Sequence, residues 1–205
     1  MNTKEAVWRE ALRQFSARGY HGVTMKEIAA KVGINDSSIY NHYKSKEEIF
    51  HTIIEECSAW ITECCEGILG KFTGAGTDAG FLVPVTSLCQ ELLDFFLENE
   101  TAAQFRRMLI IEKNSSEEAW EALHKIFLDD ILSGTETYFQ NLMDRGYFKK
   151  MDSSLLALQF YAPAALLFLQ TGDWGIDEKE SMRKKLIQHI EEFDRLYRAE
   201  QPVAQ

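Results

Sequence analysis

Apolar residues recur three and four positions apart over most of this chain, and no segment sustains the alternation of a β-strand. Several of these segments follow a capping box, a Ser, Thr, Asn or Asp with Glu or Gln three positions later. The boxes are Asn2–Glu5, Thr24–Glu27, Ser45–Glu48, Thr101–Gln104, Ser115–Glu118 and Asp177–Glu180. The pattern predicts an all-α fold with about nine helices.

The predicted helices are short near the N-terminus and longer afterwards. Three short helices cover 3–17, 25–32 and 36–43, and a fourth begins at the Ser45 cap. Further helices are predicted at 81–98, 101–112, 116–145, 153–171 and 178–198. The glycine-rich segment 71–80 is predicted to be a loop, GDWG at 172–175 separates the last two helices, and the tail after residue 200 is expected to fray.

The two short helices at 25–32 and 36–43, joined by a turn at Gly33, predict a helix-turn-helix. Ile39 and Tyr43 lie four positions apart, share one face and can pack inward. The remaining side chains of this segment then point outward, and they are polar: Ser37, Ser38, Tyr40, Asn41 and His42. The second helix of such a motif lies in the major groove of DNA, where donors and acceptors of this kind read base edges.

The charge distribution agrees with a nucleic-acid partner for the N-terminal part only. The net charge of the chain is −10, which by itself argues against DNA. Residues 1–50, however, carry eight Lys and Arg against six Asp and Glu, and the other 155 residues carry 14 against 26. A polyanion is therefore attracted to a mildly basic head and repelled by an acidic body.

The spacing of twelve residues in the head resembles the DNA-binding region of TetR/AcrR transcriptional regulators. These residues are Thr24, Ile28, Ala29, Gly33, Ile34, Ile39, Tyr40, His42, Tyr43, Ser45, Lys46 and Glu47. The family often has Ser or Thr at position 35, Gly at 37 and Phe at 43, where this chain has Asn35, Ser37 and Tyr43. The resemblance implies a bacterial, all-α, homodimeric regulator, most often a repressor that a small ligand releases from a palindromic operator.

Carried over position by position, the resemblance implies nine DNA-binding residues: Thr24, Lys26, Ser37, Ser38, Tyr40, Asn41, His42, Lys44 and Lys46. Ser37, Ser38 and Asn41 are expected to face base edges. Tyr40 and His42 are expected to contact phosphates, as are the threonine and the lysines. The threonine also serves as a helix cap without DNA, and the lysines can be plain solvated charges.

The predicted domains are a helix-turn-helix head at 1–47 and a ligand-binding and dimerisation body at 48–200. The helix at 153–171 is apolar on every side and contains Pro163, and the helix at 178–198 carries an apolar stripe. We expect both to form a four-helix seam between two copies, although an intrachain core is the alternative. The seam residues are Leu158, Ala162, Ala165, Leu166, Leu186, Ile190, Phe193 and Tyr197.

A regulator released by a ligand needs a cavity in the body, and the candidate lining is aromatic and apolar, which favours a hydrophobic or aromatic effector. The lining candidates are Trp60, Cys64, Phe96, Phe105, Trp120, Phe127, Tyr138 and Phe160. Ordinary core packing is the commoner role for any one of them. His124 and Glu136 are possible polar anchors.

Three other interpretations remain open. Cys57, Cys64 and Cys65 crowd one helix and suggest a metal- or thiol-sensing regulator, although no C-x2-C spacing is present. An enzyme is disfavoured because no phosphate loop, nucleophile elbow or HExxH motif occurs. A helical adaptor that binds no DNA is the third. We expect no cofactor, no membrane association and a cytoplasmic location.

Overall fold

A computed structural model describes residues 2–73, 82–168 and 176–199 of the 205-residue chain. Within these ranges the secondary structure is helical apart from one isolated β-bridge between Phe148 and Arg198. The α-helices are α1 (Thr3–Arg18), α2 (Met25–Val32), α3 (Lys46–Thr73), α4 (Leu82–Glu98), α5 (Glu100–Glu112), α6 (Glu117–His124), α7 (Asp130–Asp144), α8 (Ser153–Phe168) and α9 (Ile176–Tyr197). The all-α prediction is confirmed.

The chain divides into two compact units. Unit 1 consists of Met1–Cys64 and Phe96–His124, and unit 2 consists of Cys65–Phe95 and Lys125–Gln205. The predicted head, 1–47, lies wholly in unit 1, which also contains parts of the predicted body. None of the described helices has both the length and the apolar character that a bilayer crossing requires.

Unit 1 is built around α1, which packs on α2 and on α5. Val7, Ala11 and Phe15 lie on one face of α1 and are completely buried, as the periodicity predicts. The ring of Phe15 meets that of Phe50, on α3, edge to face at a centroid distance of 6.0 Å. This packing gives the short helix α2 a rigid support.

In unit 2, α8 packs between α7 and α9 around an aromatic cluster. The ring centroid of Phe139 lies 5.3 Å from that of Phe160 and 5.4 Å from that of Phe193. One face of α8 joins this core through Leu156, Ala157 and Tyr161. The opposite face of α8, which includes Leu158 and Leu166, is exposed in the single chain.

The predicted helix at 36–43 is not an α-helix. Asn35–Ser38 forms a turn, and a single 3-10 turn covers Ile39–Asn41. The bonds Ser38 N–H to Asn35 O and Asn41 N–H to Ser38 O, at 2.8 and 3.2 Å, span three residues rather than four. Asn, Asp and Ser are weak helix formers because their side chains compete for backbone groups, and the predicted helix begins with three of them, Asp36, Ser37 and Ser38.

Other boundaries differ by a few residues. α3 continues to Thr73, into the predicted loop at 71–80. Asn99 caps α5 in place of the predicted Thr101, accepting the Ala102 N–H at 3.0 Å. The predicted helix 116–145 contains a π-helical segment at Lys125–Asp129. The rest of the predicted loop, the break at 172–175 and the tail after 200 lie outside the described residues.

Candidate nucleic-acid interface

α2 begins with a complete capping box. Glu27 N–H donates to Thr24 Oγ1 at 3.2 Å, while Thr24 N–H and the Thr24 hydroxyl both donate to Glu27 Oε2 at 2.8 Å. Arg18 adds a 2.8 Å ion pair with the same carboxylate. These bonds, led by the Thr24 hydroxyl and Arg18, lower the pKa of Glu27 to about 2. The N-terminus of α2 is thereby tied to the end of α1.

The turn after α2 depends on Gly33. Its φ of 80° and ψ of 27° lie in the left-handed region, which glycine adopts without steric penalty. The Ile34 N–H then closes back onto Ala29 O at 3.0 Å. Such a closure ends the helix and sends the chain directly into the Asn35–Ser38 turn.

The 3-10 segment is anchored from below by two side chains. Ile39 is completely buried and Tyr43 is 3% exposed, which confirms that both pack inward. Burial raises the pKa of Tyr43 to about 12, so its ring stays neutral inside unit 1. Lys4, on α1, lies 5.2 Å from the centroid of the Tyr43 ring.

The opposite face of this segment is polar and open. Tyr40 is 55% exposed, Ser37 and Asn41 are also exposed, and Ser38 and His42 are half-buried. We call these five residues the recognition surface. Within the described part of the chain, none of their side chains forms a hydrogen bond or ion pair. Because they hold no part of the fold together, their polar groups are available to a partner.

The basic residues around the recognition surface differ in whether their amino groups are exposed or are hydrogen-bonded within the chain. Lys44 is exposed, and Lys26 is 79% exposed, with its Nζ 3.9 Å from Asp36 Oδ2. Lys46, in contrast, donates to Tyr20 O at 2.7 Å and to Val23 O at 2.8 Å, and lies 4.1 Å from the centroid of the Tyr20 ring. Burial lowers the pKa of Lys46, and nearby carboxylates partly offset the effect.

The loop between α1 and α2 is held from a second side by α5, an arrangement that the sequence reasoning missed. Tyr20 N–H donates to Glu112 Oε1 at 2.7 Å, and the Ser115 hydroxyl donates to Glu112 Oε2 at the same distance. Glu112 is only 4% exposed. We call the set Tyr20, Lys46 and Glu112 the loop clamp. Its two bonds join residues 92 and 26 positions apart, which no helical periodicity reveals.

The predicted effector-binding residues are divided between the two units. Trp60, Cys64, Phe96, Phe105 and Trp120 belong to unit 1, and Phe127, Tyr138 and Phe160 belong to unit 2. Phe105 is completely buried, whereas Trp120 and Tyr138 are 46% and 38% exposed. Trp120 stacks on His124 at a centroid distance of 3.9 Å, and Glu136 accepts a bond from Ser153 at 3.3 Å.

The cysteine alternative gains little support from the structure. Burial raises the pKa of Cys57 to about 12, so its thiol is protonated at neutral pH. Cys64 and Cys65 are half-buried, and burial also raises the pKa of Cys64. The described residues contain no group of three or more side chains arranged to hold a metal ion.

The predicted dimerisation residues fall into two groups. On α8, Leu158 and Leu166 are 51% and 66% exposed, Ala162 is exposed and Ala165 is half-buried. On α9, the stripe packs within the chain itself: Leu186, Ile190 and Phe193 are at most 5% exposed, and Tyr197 is half-buried. The α9 stripe therefore packs within its own chain, whereas the α8 face is exposed.

Comparison with known families agrees with this geometry. Residues 8–53 match the family model described as bacterial regulatory proteins, tetR family. This segment of the chain belongs to the TetR family. The match runs from within α1 through α2 and the 3-10 turn to the start of α3, and it therefore contains the whole recognition surface.

A curated relative of this segment is IcaR of Staphylococcus epidermidis, the HTH-type negative transcriptional regulator of the biofilm operon icaADBC. The two are 39% identical over 54 residues, which make up 26% of this chain and 29% of IcaR. The aligned part thus covers less than a third of that relative.

Solved structures extend the likeness to nearly the whole chain. A protein from Mesorhizobium loti described as a TetR-family transcriptional regulator has a TM-score of 0.70 and 20% identity, covering 96% of this chain and 97% of that one. A protein from Saccharomonospora viridis, described as a transcriptional regulator in complex with choline, has a TM-score of 0.65 and 19% identity, covering 97% and 98%. At these identities the likeness shows the fold.

Proposed function

We propose that this chain is a TetR-family transcriptional repressor that binds a palindromic operator as a homodimer and leaves it when a small molecule binds the body. The observation that carries the proposal is the recognition surface. Buried Ile39 and Tyr43 fix its backbone, while exposed Ser37, Tyr40 and Asn41 support nothing within the chain. Polar groups that are rigidly held but unengaged suit the base edges and phosphates of a major groove.

Within this proposal, Ser37, Ser38 and Asn41 read bases, and Tyr40 and His42 contact phosphates. Lys26 and Lys44 are free to add phosphate contacts of their own. Lys46 has two of its three N–H donors engaged by backbone carbonyls, so at most one remains for a phosphate. We assign it mainly to the support of the α1–α2 loop, and likewise Thr24 to the cap of α2.

Dimerisation belongs to the same mechanism, because a single head of this size contacts few base pairs. Two heads on a symmetric dimer read half-sites ~34–36 Å apart, in successive turns of the major groove. The exposed apolar face of α8, which contains Leu158, Ala162 and Leu166, is the surface that we assign to the seam. Apolar side chains of this size gain free energy when a second copy covers them.

For the effector we propose a small hydrophobic or aromatic molecule bound within the body. The choline complex of the Saccharomonospora viridis protein supports a small-molecule site in a similar fold, without indicating which molecule this chain takes. A ligand that favours the released state by ~2.7 kcal/mol lowers operator occupancy about 100-fold. Its binding also raises the stability of the folded chain, so a thermal-shift screen detects it.

The test of DNA binding is selection of bound sequences from random duplex DNA at a fixed salt concentration. We expect a two-fold symmetric consensus for the wild type. The Asn41→Ala variant is expected to lose base preference at one position of each half-site. As a matched control, Gln140→Ala removes a similar amide from the exposed surface of α7 and leaves the consensus unchanged. No enrichment over random duplex by the wild type would contradict the proposed function.

A further inference from the structure

One exposed acidic residue, Asp36, directly precedes the recognition surface in the chain. Asp36 belongs to the turn that precedes the 3-10 segment, and its side chain is 57% exposed. It comes directly before exposed Ser37, at the N-terminal end of the recognition surface. A negative charge in this position weakens attraction to any polyanion and therefore calls for an explanation.

The fold itself does not depend on this carboxylate. Its only ion pair within the described residues is with Lys26, at 3.9 Å, and both partners are largely exposed. An exposed pair of this length contributes little to stability. No hydrogen bond to a backbone N–H engages the carboxylate as a helix cap, and the 3-10 turn begins without a side-chain cap.

The chemistry of the major groove offers a specific partner. A carboxylate is repelled by phosphates, but it accepts hydrogen bonds from exocyclic amino groups, and the natural match is N4 of cytosine. Recognition segments contact base edges with their N-terminal residues, which is where Asp36 lies. Lys26 supplies a positive charge beside it that reduces repulsion from the flanking phosphates.

We propose that Asp36 is a specificity-determining residue that accepts a hydrogen bond from the N4 amino group of one cytosine in each operator half-site. The inference rests on the proposed DNA-binding function and adds a residue to it. The Asp36 carboxylate thus lowers the affinity for DNA of any sequence and adds discrimination between bases at one base pair. Lys26 acts oppositely, raising affinity for all sequences alike.

The experiment measures the affinity of wild type, Asp36→Ala and Asp36→Asn for the duplex that the wild type selects and for duplexes with each base substituted at each half-site position. We expect the wild type to favour cytosine at one position by about five- to tenfold. Asp36→Ala should bind the four bases there equally. Asp36→Asn should shift the preference toward adenine, whose N6 and N7 match an amide.

Two controls separate base reading from general charge. Glu55→Gln removes one negative charge from an exposed position on α3, about 13 Å along the helix from Lys46, and is expected to keep the cytosine preference. Lys26→Ala is expected to weaken binding to all the duplexes by a similar factor. Unchanged base preferences in Asp36→Ala, with only a uniform gain in affinity, would overturn the inference alone. A wild type that binds no duplex above random sequence would overturn the proposed function and this inference together.

Discussion

At the scale of single residues, Glu27 shows how a local pattern fixes the entry to the candidate interface. Its carboxylate accepts the Thr24 N–H and hydroxyl at 2.8 Å and pairs with Arg18, although the side chain is 41% exposed. The capping box that provides these bonds is readable from the sequence, because its two members lie three positions apart. The Arg18 contact was not foreseen, because it depends on how α1 and α2 pack.

Glu27→Gln tests this arrangement through its pH dependence. Because the folded-state pKa of about 2 is below the ordinary value of 4.5, the charged carboxylate adds stability at neutral pH. That contribution is present above the ordinary pKa and is lost as the pH falls through the folded pKa. Denaturant unfolding should therefore show the variant less stable than wild type at neutral pH, with the gap closing under increasingly acidic conditions.

Glu55→Gln is the control for Glu27→Gln, since Glu55 forms no hydrogen bond or ion pair among the described residues. Its difference from wild type should stay near zero at every pH. A gap for Glu27→Gln that is constant from neutral to acidic pH would show that the carboxylate charge contributes nothing.

At the scale of elements, helix bounds that depend on neighbouring residues are predictable from the sequence. Features that depend on contacts between distant residues are not. α1, α2 and α9 begin and end within two residues of their predicted bounds, because caps and apolar periodicity act within one or two turns. The choice between a 3-10 turn and an α-helix at Ile39–Asn41 depends on how Ile39 and Tyr43 fit the core, which periodicity does not encode. The loop clamp escaped prediction for the same reason.

Lys46→Met tests the loop clamp against the alternative of a solvated lysine. The substitution keeps most of the aliphatic stem and removes the donor to Tyr20 O and Val23 O. Leaving these carbonyls without their donor is expected to lower the free energy of unfolding by about 1–3 kcal/mol in denaturant titrations. Lys44→Met is the matched control, because Lys44 is exposed and its side chain holds no carbonyl, and it should remain within ~0.5 kcal/mol of wild type.

Equal stabilities of the two methionine variants would mean that Lys46 is a surface charge. In that case its assignment as a phosphate contact would gain weight. A destabilised Lys46→Met, in contrast, means that any loss of DNA affinity in this variant has to be corrected for a disturbed head.

At the scale of the whole molecule, the open question for each protomer is what covers the exposed face of α8. Leu155, Leu158 and Leu166 are 47%, 51% and 66% exposed, and their spacing places them on one side of the helix. The sequence indicated that α8 is too apolar to be left in water, but it could not show that the α9 stripe fills its own protomer's core. An apolar stripe that contacts a second copy has the same periodicity as one that packs in the core of its own chain. The sequence pattern therefore does not distinguish the two.

Leu158→Lys tests the proposed seam. A lysine at this exposed position is tolerated in a single protomer. In a symmetric dimer it places two positive charges close to the two-fold axis, where they repel each other. Sedimentation velocity should therefore show a dimer for the wild type and a monomer for the variant. Helical content should be unchanged, and affinity for the full operator should fall to that for a half-site. Thr137→Lys adds the same charge to an exposed position on α7 and should leave the dimer intact. Dimeric Leu158→Lys would place the interface elsewhere.

The central claim is that the recognition surface makes the main contacts to duplex DNA. The most direct measurement is a fluorescence-anisotropy titration of one labelled operator duplex with the wild type and with the Tyr40→Ala/Asn41→Ala double variant, whose lost side chains support no part of the fold. We predict at least ~30-fold weaker binding by the double variant, because each half-site loses one phosphate contact, from Tyr40, and one base contact, from Asn41. Its thermal stability should be unchanged. Equal affinity of the two proteins for the duplex would contradict the account.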